Sequence, residues 1–300
     1  MLPIAFHPIY KHPLPEGHRF PMVKYELLPQ QLLLEGTAEE NDFFAPDIAD
    51  LQHILAVHQR QYVDDLLQLA LDPKAARKIG FPLSEALVER ELRIANGTIL
   101  GSEKALETGI AFNIAGGTHH AFSDRGEAFC LLNDQAIAAK YLLQRKVAKK
   151  ILIIDLDVHQ GNGTAEIFQN EARVFTFSVH GKSNYPFKKE VSDVDIALAD
   201  GTLDNEYLCI IAEMVPKLIE QEKPDFIFYL SGVDILATDK LGKLGCSIAG
   251  CKARDEIVFT HCHRFQIPVQ VSMGGGYSPE IKTIIEAHAN TYRVARTIFT

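Results

Sequence analysis

Short apolar runs alternate along the chain with longer segments in which apolar residues recur at helical spacing. The runs that are short enough for buried strands lie at 110–114, 151–154, 174–179, 225–230 and 268–273. Strands that are apolar throughout and separated by helices are typical of a parallel sheet covered on both faces. The pattern therefore predicts an α/β fold, with one mainly parallel central sheet between two layers of helices.

Helical segments fill the stretches between these runs. Ser84 is a suitable N-cap and Gly109 a suitable C-terminal stop for a helix predicted at about 84–106. Further helices are predicted at 22–35, 50–71 (one or two), 133–147, 204–221, 254–264 and from 278 to about 298. The proline-interrupted residues 1–20 and the long segment 181–201 are predicted to be irregular.

Length and composition limit the classes of protein to which the chain can belong. Its 300 residues, 47% of them hydrophobic, can bury a large core, so we expect one domain over 1–300. A formal net charge of -9 argues against direct nucleic-acid binding, which requires a basic face. The 5 cysteines show no Cys-x-x-Cys spacing, and no signal peptide or membrane-spanning apolar stretch is visible. We therefore expect a cytoplasmic protein with no membrane partner.

The side chains change abruptly from aliphatic to polar after the apolar run 151–154. Asp155, Asp157 and His159 follow it at every second position. The strand is predicted to continue through them, and its alternation places all three on one face. A carboxylate and an imidazole together suit a divalent ion of the zinc type, and parallel sheets bind ligands at their carboxyl edge. An ordinary ion-paired strand end is the alternative interpretation.

Other strand ends of the predicted sheet also carry polar groups. Asp234 follows the run 225–230, so Asp157, His159 and Asp234 would supply three ligands to one divalent ion. The fourth position would remain for water, whose pKa such an ion lowers from about 16 toward 7. A site with this ligand set and an open position is typical of catalytic rather than structural zinc.

The adjacent His119 and His120 lie on a glycine turn from which both imidazoles can face the same cleft. Two imidazoles near an activated water can act as base and then acid in hydrolysis, and each needs a partner on its other ring nitrogen. Asp155 and Asn162 are the available partners. Tyr277, between a glycine turn and a helix, can donate its hydroxyl hydrogen bond to a developing oxyanion, worth about 3 kcal/mol.

Five motifs in the chain resemble those of the zinc-dependent histone deacetylases, in the order and spacing of that family. They are Gly117-Thr118-His119-His120-Ala121, Phe129-Cys130 with Asn133-Asp134, Asp155 to Thr164, Ser231-Gly232-Val233-Asp234 and Gly274-Gly275-Gly276-Tyr277. The resemblance covers nearly the whole chain. Ser123 to Gly126, the sequence His-Gln-Gly-Asn-Gly and the segment from Asp234 to Gly242 are most similar to class IV deacetylases and their bacterial relatives.

The resemblance implies an arginase/deacetylase-like fold, one catalytic Zn²⁺ (or Fe²⁺) and the site roles given above. It also implies a narrow substrate channel with Phe129 on one wall and the loop of Tyr185 and Phe187 on the other. Ala128, where the family commonly has glycine, and Gly275, in a short glycine run, would shape this channel. A structural K⁺ is implied beside a set of residues that comprises Asp155, Asp157, His159, Ser178 and the carbonyl of Leu156.

The sequence leaves several functions open. The leading hypothesis is an amidohydrolase that removes the acyl group from an acylated lysine side chain of a protein. The alternatives are a deacylase of small acylated amines, such as acetylpolyamines, and a catalytically silent module that binds acyl-lysine. The acidic balance of the chain does not separate peptide from polyamine substrates, because an acidic rim would attract both. Acyl-chain length and oligomeric state are not predicted.

Overall fold

The computed structural model describes residues 1–300. Strands from the whole length of the chain form one eight-stranded sheet. The strands are β1 (Ile4–Ala5), β2 (Phe43–Phe44), β3 (Ile110–Asn113), β4 (Ile151–Asp155), β5 (Val174–Gly181), β6 (Val194–Leu198), β7 (Phe226–Leu230) and β8 (Val269–Ser272). Their order in the sheet is β2-β1-β3-β8-β7-β4-β5-β6, and every neighbouring pair is parallel. The predicted α/β class is confirmed, and all the carboxyl ends of the strands lie along one edge.

Ten α-helices surround this sheet. They are α1 (Lys24–Leu34), α2 (Leu51–Leu55), α3 (Arg60–Leu67), α4 (Pro73–Ile79), α5 (Glu85–Thr108), α6 (Asp134–Gln144), α7 (Asn162–Phe168), α8 (Asp204–Glu222), α9 (Ile248–Arg264) and α10 (Ile281–Phe299). As predicted, Ser84 caps α5 by accepting a hydrogen bond from Leu87 N, and Gly109 ends it with a φ of 84°. None of the helices combines the length and the apolar character needed to cross a membrane.

The middle of the sheet forms the centre of the hydrophobic core. Every residue of β3, β4, β7 and β8 is buried, as expected for parallel strands with helices on both faces. β4 lies between β5 and β7, so the residues that follow β4 and β7 emerge side by side at the carboxyl edge of the sheet. This adjacency brings polar groups together that are distant in the sequence.

Three sequence predictions about the elements are wrong. The segment 181–201 contains β6, an edge strand whose Val194, Ile196 and Leu198 alternate with more exposed residues. Residues 1–20 contain β1 and a short 3₁₀ helix at Pro8–Tyr10. The third correction concerns β4, which ends at Asp155. Asp157 and His159 therefore lie in the turn after the strand, and strand alternation is not what brings their side chains together.

Candidate metal centre and active site

Asp157, His159 and Asp234 form a buried cluster where β4 and β7 end. One potential ligand atom from each residue lies within 4.8 Å of the others. The Nδ1 atom of His159 is 3.0 Å from Oδ1 of Asp157 and 3.1 Å from Oδ2 of Asp234. The structure thus brings together the three residues that the sequence predicts as metal ligands.

Main-chain hydrogen bonds orient both carboxylates of this cluster. Gly275 N donates to Oδ2 of Asp157 at 2.8 Å, and Val158 N donates to Oδ1 of Asp234 at 2.9 Å. The other oxygen of each carboxylate faces His159 Nδ1. A Cβ atom at Gly275 would collide with Oδ2 of Asp234, so the close approach of this turn to the carboxylates requires glycine.

The electrostatics of the cluster favour a cation at its centre. Burial and the neighbouring carboxylate of Asp157 raise the pKa of Asp234 to about 7. Burial lowers the pKa of His159, but hydrogen bonds to the carboxylates of Asp157 and Asp234 outweigh burial and raise it to about 10. Two buried carboxylates around one imidazole nitrogen thus need a compensating positive charge. Oxygen and imidazole donors are the set that binds Zn²⁺ or Fe²⁺, so the residues present fit such an ion.

The tandem histidines lie beside this cluster with a different partner for each ring. His119 Nδ1 is 2.7 Å from Oδ2 of Asp155, and His120 Nδ1 is 2.6 Å from Oδ1 of Asn162, the first residue of α7. Burial opposes protonation of His119, yet the Asp155 carboxylate raises its pKa. Burial and the nearby His119 lower the pKa of His120 well below its usual range. The two rings, 4.1 Å apart between centroids, therefore differ in their tendency to hold a proton.

Tyr277 completes the inner part of the site. Its ring centroid lies 6.4 Å from that of His159, and its main-chain N–H donates to Oδ2 of Asp239 at 2.6 Å. Its hydroxyl makes no hydrogen bond within the protein. Burial and the carboxylates of Asp234 and Asp157 raise the pKa of this phenol well above its usual range. The hydroxyl is thus a protonated donor with no partner in the protein.

An open pocket leads from the surface to these groups. It is lined by 13 residues, among which are His120, Phe129, His159, Tyr185 and Tyr277. An inner cavity shares His120, Phe129, His159 and Tyr277 with the pocket and extends past Gly275. The two spaces therefore meet at the metal-ligand cluster and the tandem histidines.

Four residues predicted for the channel, Ala128, Phe129, Tyr185 and Phe187, line this pocket, and the fifth, Gly275, lines the inner cavity. Ala128 and Phe129 occur in the left-handed region, with φ of 46° and 69°, which explains why glycine would suit position 128. The ring of Tyr185 stands 5.0 Å from that of His120, and its hydroxyl donates to Glu127 at 2.6 Å. Phe187 is 90% exposed at the outer end of the pocket.

The residues predicted for the monovalent cation lie at the end of β4, in the turn after it and on β5. Asp155 and Ser178 are direct neighbours across the β4–β5 pair. The carbonyl of Leu156, however, already accepts a hydrogen bond from Nη1 of Arg254 at 3.3 Å. A carbonyl oxygen has a second lone pair, so this contact does not contradict the predicted role of Leu156, and the candidate set remains Asp155, Leu156, Asp157, His159 and Ser178.

Sequence reasoning missed Arg254, a fully buried residue of α9. Its guanidinium donates to the carbonyls of Leu156, Ser231 and Gly232, which lie between the ends of β4 and β7 and the metal-ligand residues that follow them. It pairs with Asp255 at 2.8 Å. Helical spacing puts both charged residues on the same face of α9 as the buried Cys251, Val258, Phe259 and Cys262. This pattern in the sequence could have identified Arg254 as a buried residue.

Lys24 is a second buried charge that the sequence did not reveal. Its Nζ donates to the carbonyl of Gly274 at 3.2 Å and lies 5.6 Å from the ring centroid of Tyr277. Burial lowers the pKa of Lys24 to about 8. This lysine thus supports the glycine turn that carries Tyr277.

The chain resembles known proteins over nearly its whole length. It matches the model of the histone deacetylase domain over residues 18–292. An uncharacterized protein of Picosynechococcus sp. is 44% identical over 297 residues, covering 99% of each chain. Histone deacetylase 2 of Arabidopsis thaliana is 30% identical over 279 residues, covering 89% of this chain and 72% of the plant protein.

A solved structure has a similar fold. The crystal structure of a histone deacetylase homologue complexed with SAHA superposes with a TM-score of 0.85, over 99% of this chain and 84% of the homologue, at 24% identity. At that identity the likeness shows the fold, and the family assignment comes from the match over residues 18–292. The chain therefore belongs to the histone deacetylase family of hydrolases.

Proposed function

We propose that this protein is a metal-dependent deacylase that hydrolyses the amide of acylated lysine side chains. The observation that carries the proposal is the buried cluster of Asp157, His159 and Asp234 beside His119, His120 and Tyr277, at the inner end of an open pocket. A metal ligand set, two imidazoles with fixed partners and an unpartnered phenol are what amide hydrolysis requires. Family membership supports the same class of reaction.

Asp157, His159 and Asp234 would hold the ion, which we propose to be Zn²⁺, with Fe²⁺ as the alternative. When bound, such an ion polarises a carbonyl and lowers the pKa of water. The remaining residues position the substrate and its protons. The phenol of Tyr277 would donate to the substrate carbonyl as negative charge develops on the carbonyl oxygen. The hydroxyl can do so without breaking another hydrogen bond, because no acceptor in the protein competes for it.

The tandem histidines would divide the proton transfers between them. His119 has a carboxylate partner, which favours the protonated ring, whereas His120 has an amide partner. In the proposed reaction one imidazole accepts the proton of the attacking water, and one gives a proton to the departing amine of lysine. Asp155 and Asn162 would hold each ring in the orientation that these transfers need.

The pocket favours a substrate whose reacting amide lies at the end of a long alkyl chain, such as that of lysine, over one with a bulky group next to the carbonyl. Phe129 and Tyr185 present ring faces and edges along it, and both contribute to its lining. A lysine side chain is a flexible aliphatic chain that fits between aromatic walls. The related structure was solved with SAHA bound, which supports a family pocket of this type. We also propose that the protein belongs to a class IV-like subgroup, because its segment from Ser123 to Gly126 is similar to that of class IV deacetylases.

Turnover assays on a single fluorogenic lysine peptide carrying an acetyl, octanoyl or myristoyl group would test the proposal. The wild type loaded with zinc should hydrolyse at least one of them. Tyr277→Phe should lose roughly 100-fold or more in kcat, because it removes one oxyanion donor. Tyr141→Phe removes a hydroxyl on α6, remote from the pocket, where it donates to Glu103, and serves as the matched control.

Each alternative function has its own outcome in this assay. If all three peptides are inert while acetylated spermidine is hydrolysed, the protein is a small-amine deacylase and the proposal is wrong. If nothing is hydrolysed but the peptides bind with equal affinity to wild type and Tyr277→Phe, the chain is a silent binding module. Equal turnover by wild type and Tyr277→Phe would overturn the role assigned to the phenol.

A further inference from the structure

The entrance of the pocket carries charge of the opposite sign to that of the chain as a whole. The charged residues among the 13 that line it are Arg19, Lys78 and Lys243, apart from the two inner histidines. No aspartate or glutamate lines the pocket. The chain nevertheless has a formal net charge of -9. The cations are therefore concentrated at the entrance against the general trend of the surface.

Lys78 has a fixed place beside the channel wall. It lies near the end of α4, and its carbonyl accepts a hydrogen bond from Ala128 N at 2.9 Å. The adjacent Ile79 carbonyl accepts from Phe129 N at 2.6 Å. The backbone that carries Lys78 is thus hydrogen-bonded to the wall of the substrate channel.

Lys243 occupies the other side of the entrance. Its carbonyl accepts from Gly201 N at 2.7 Å, and its Nζ donates to Oγ of Ser183 at 3.0 Å. Ser183 and Lys243 both line the pocket. The ammonium group is therefore held at the rim next to the loop that carries Tyr185.

Arg19 is the third cation and approaches from the amino-terminal segment. Its guanidinium carbon lies 5.0 Å from the ring centroid of Phe129. The side chain is exposed, and no carboxylate lies within salt-bridge distance of it. Lys78 and Lys243 contact carboxylates only at long distance, 3.8 Å to Glu127 and 3.9 Å to Asp200, and both lysine side chains are about half exposed. Contacts of this kind leave most of the positive potential in place.

Two carboxylates near the entrance, Glu127 and Asp239, already accept several hydrogen bonds, which weakens their attraction for a cationic substrate. Glu127 accepts hydrogen bonds from the hydroxyl of Tyr185 at 2.6 Å and from Nε of Arg125 at 2.9 Å. Asp239 accepts from the main-chain N–H groups of Leu241, Gly242 and Tyr277. A polyamine or a basic peptide would thus meet like charge at the entrance, which is unfavourable.

We propose that Arg19, Lys78 and Lys243 select acylated lysines that have acidic residues next to them in the peptide. This inference rests on the proposed deacylase function and specifies its substrate class. The acylated side chain would enter the pocket while flanking aspartate or glutamate side chains face the cations at the rim. Because these contacts are remote from the reacting carbonyl, they would act on KM rather than on kcat.

Matched peptides would test the inference. One acyl-lysine sequence is made with flanking glutamates, glutamines or lysines and assayed with the zinc-loaded wild type, together with acetylated spermidine. We expect kcat/KM to fall by roughly 10-fold from the acidic to the basic peptide, about what a few exposed ion pairs supply. The difference should shrink at high salt, since screening weakens contacts between exposed charges.

Charge variants would assign the effect to the three side chains. Lys78→Gln and Lys243→Gln should each reduce the preference about twofold to threefold, and Lys243→Glu should reduce it further. Arg19→Lys keeps the charge and should keep the preference, whereas Arg19→Gln should not. Lys217→Glu makes the same charge change at an exposed position of α8 and should leave the preference as it is.

Binding measurements separate failure of this inference from failure of the deacylase proposal. The affinities of the same peptides for Tyr277→Phe can be measured by fluorescence anisotropy without any turnover. If acidic peptides bind more tightly to Tyr277→Phe but the zinc-loaded wild type hydrolyses none of the peptides, the entrance assignment is supported and the deacylase proposal is overturned. If the acyl-lysine peptides are hydrolysed but turnover and binding are indifferent to flanking charge, or favour the basic peptide or acetylated spermidine, the entrance assignment alone is overturned.

Discussion

His119 Nδ1 lies 2.7 Å from Oδ2 of Asp155, and both side chains are only 6% exposed. Burial strengthens this contact, because little water competes for either group. A carboxylate that fixes one tautomer and one ring orientation also stabilises the ring when it takes up a proton. We therefore regard Asp155 as the residue that positions His119.

Replacing this carboxylate tests its role. Asp155→Asn keeps the shape but removes the charge, so we expect kcat to fall roughly 10- to 100-fold with KM little changed. The measurement is steady-state hydrolysis at equal metal content. Asn162→Ala, which removes the neutral partner of His120, should cost less. An Asp155→Asn enzyme with full kcat would contradict the assignment.

Removing the metal should destabilise the protein. An ion held by Asp157, His159 and Asp234 binds the folded chain only, so it raises the free energy of unfolding by about 2.7 kcal/mol at 100 times its dissociation constant. Dialysis against a chelator should lower the melting temperature by roughly 5 °C or more, and Zn²⁺ should restore it.

Two controls accompany the metal experiment. The variant His159→Gln should show no response of the melting temperature to Zn²⁺, because one ligand is missing. Metal analysis of the wild type should give one divalent ion per chain. Two ions per chain, or a melting temperature that is independent of the chelator, would overturn the single-site assignment.

Arg254 should be essential for the stability of the metal-ligand turns. Arg254→Met leaves the buried Asp255 carboxylate without its partner and leaves main-chain carbonyls of two strand ends without donors. Breaking a buried ion pair in this way costs about 3–5 kcal/mol, so the midpoint of urea unfolding should fall sharply. Arg264→Met, at an exposed position of the same helix, is the control.

Arg254→Lys gives a finer test of the same residue. A lysine keeps the charge but cannot reach several carbonyls in the fixed geometry of a guanidinium. We expect a folded protein with weaker affinity for Zn²⁺, measured by competition with a chelator. Unchanged metal affinity in Arg254→Lys would show that the guanidinium stabilises the fold but does not orient the metal ligands.

His58 should make the stability of the protein sensitive to mild acid. It is buried, with Nδ1 2.9 Å from the carbonyl of Phe122 and Nε2 accepting from Asn133 N at 3.0 Å. Burial lowers its pKa to about 4. Between pH 6.5 and 4 the unfolded chain therefore takes up a proton that the folded chain does not, and the free energy of unfolding falls by up to about 3 kcal/mol.

The change in unfolding free energy between pH 7 and 5 can be measured in urea for wild type and His58→Gln. Glutamine can both donate and accept but does not titrate, so the variant should lose less stability over this range. His263→Gln controls for loss of an imidazole at an exposed position of α9. Equal pH dependence in wild type and His58→Gln would show that His58 is not the responsible group.

The central strands were predictable from sequence because burial on both faces leaves continuous apolar runs. This holds for β4 and β7. The edge strand β6 was missed because its Val194, Ile196 and Leu198 alternate with polar or small residues inside a largely polar segment. Strands of two residues, such as β1, are too short to carry any periodic signal.

The candidate site was predictable in its membership but not in its geometry. Asp157, His159 and Asp234 are recognisable because each follows an apolar run at the same edge of a parallel sheet. Their convergence depends on a turn and on main-chain donors such as Gly275, which no side-chain pattern reveals. Lys24 was not identified for the same reason, since the group it binds is a carbonyl.

The long sequence separation between residues that meet at the site has a consequence for synthesis of the protein. Val158 donates to Asp234, a residue 76 positions later in the chain, and Gly275 donates to Asp157 across 118 positions. Contacts so distant in sequence form slowly, because a long loop must close first. A nascent chain emerging from the ribosome therefore cannot form these contacts until Gly275 has been translated. Metal uptake should then report that synthesis has passed Gly275 and that the turns around the site have folded.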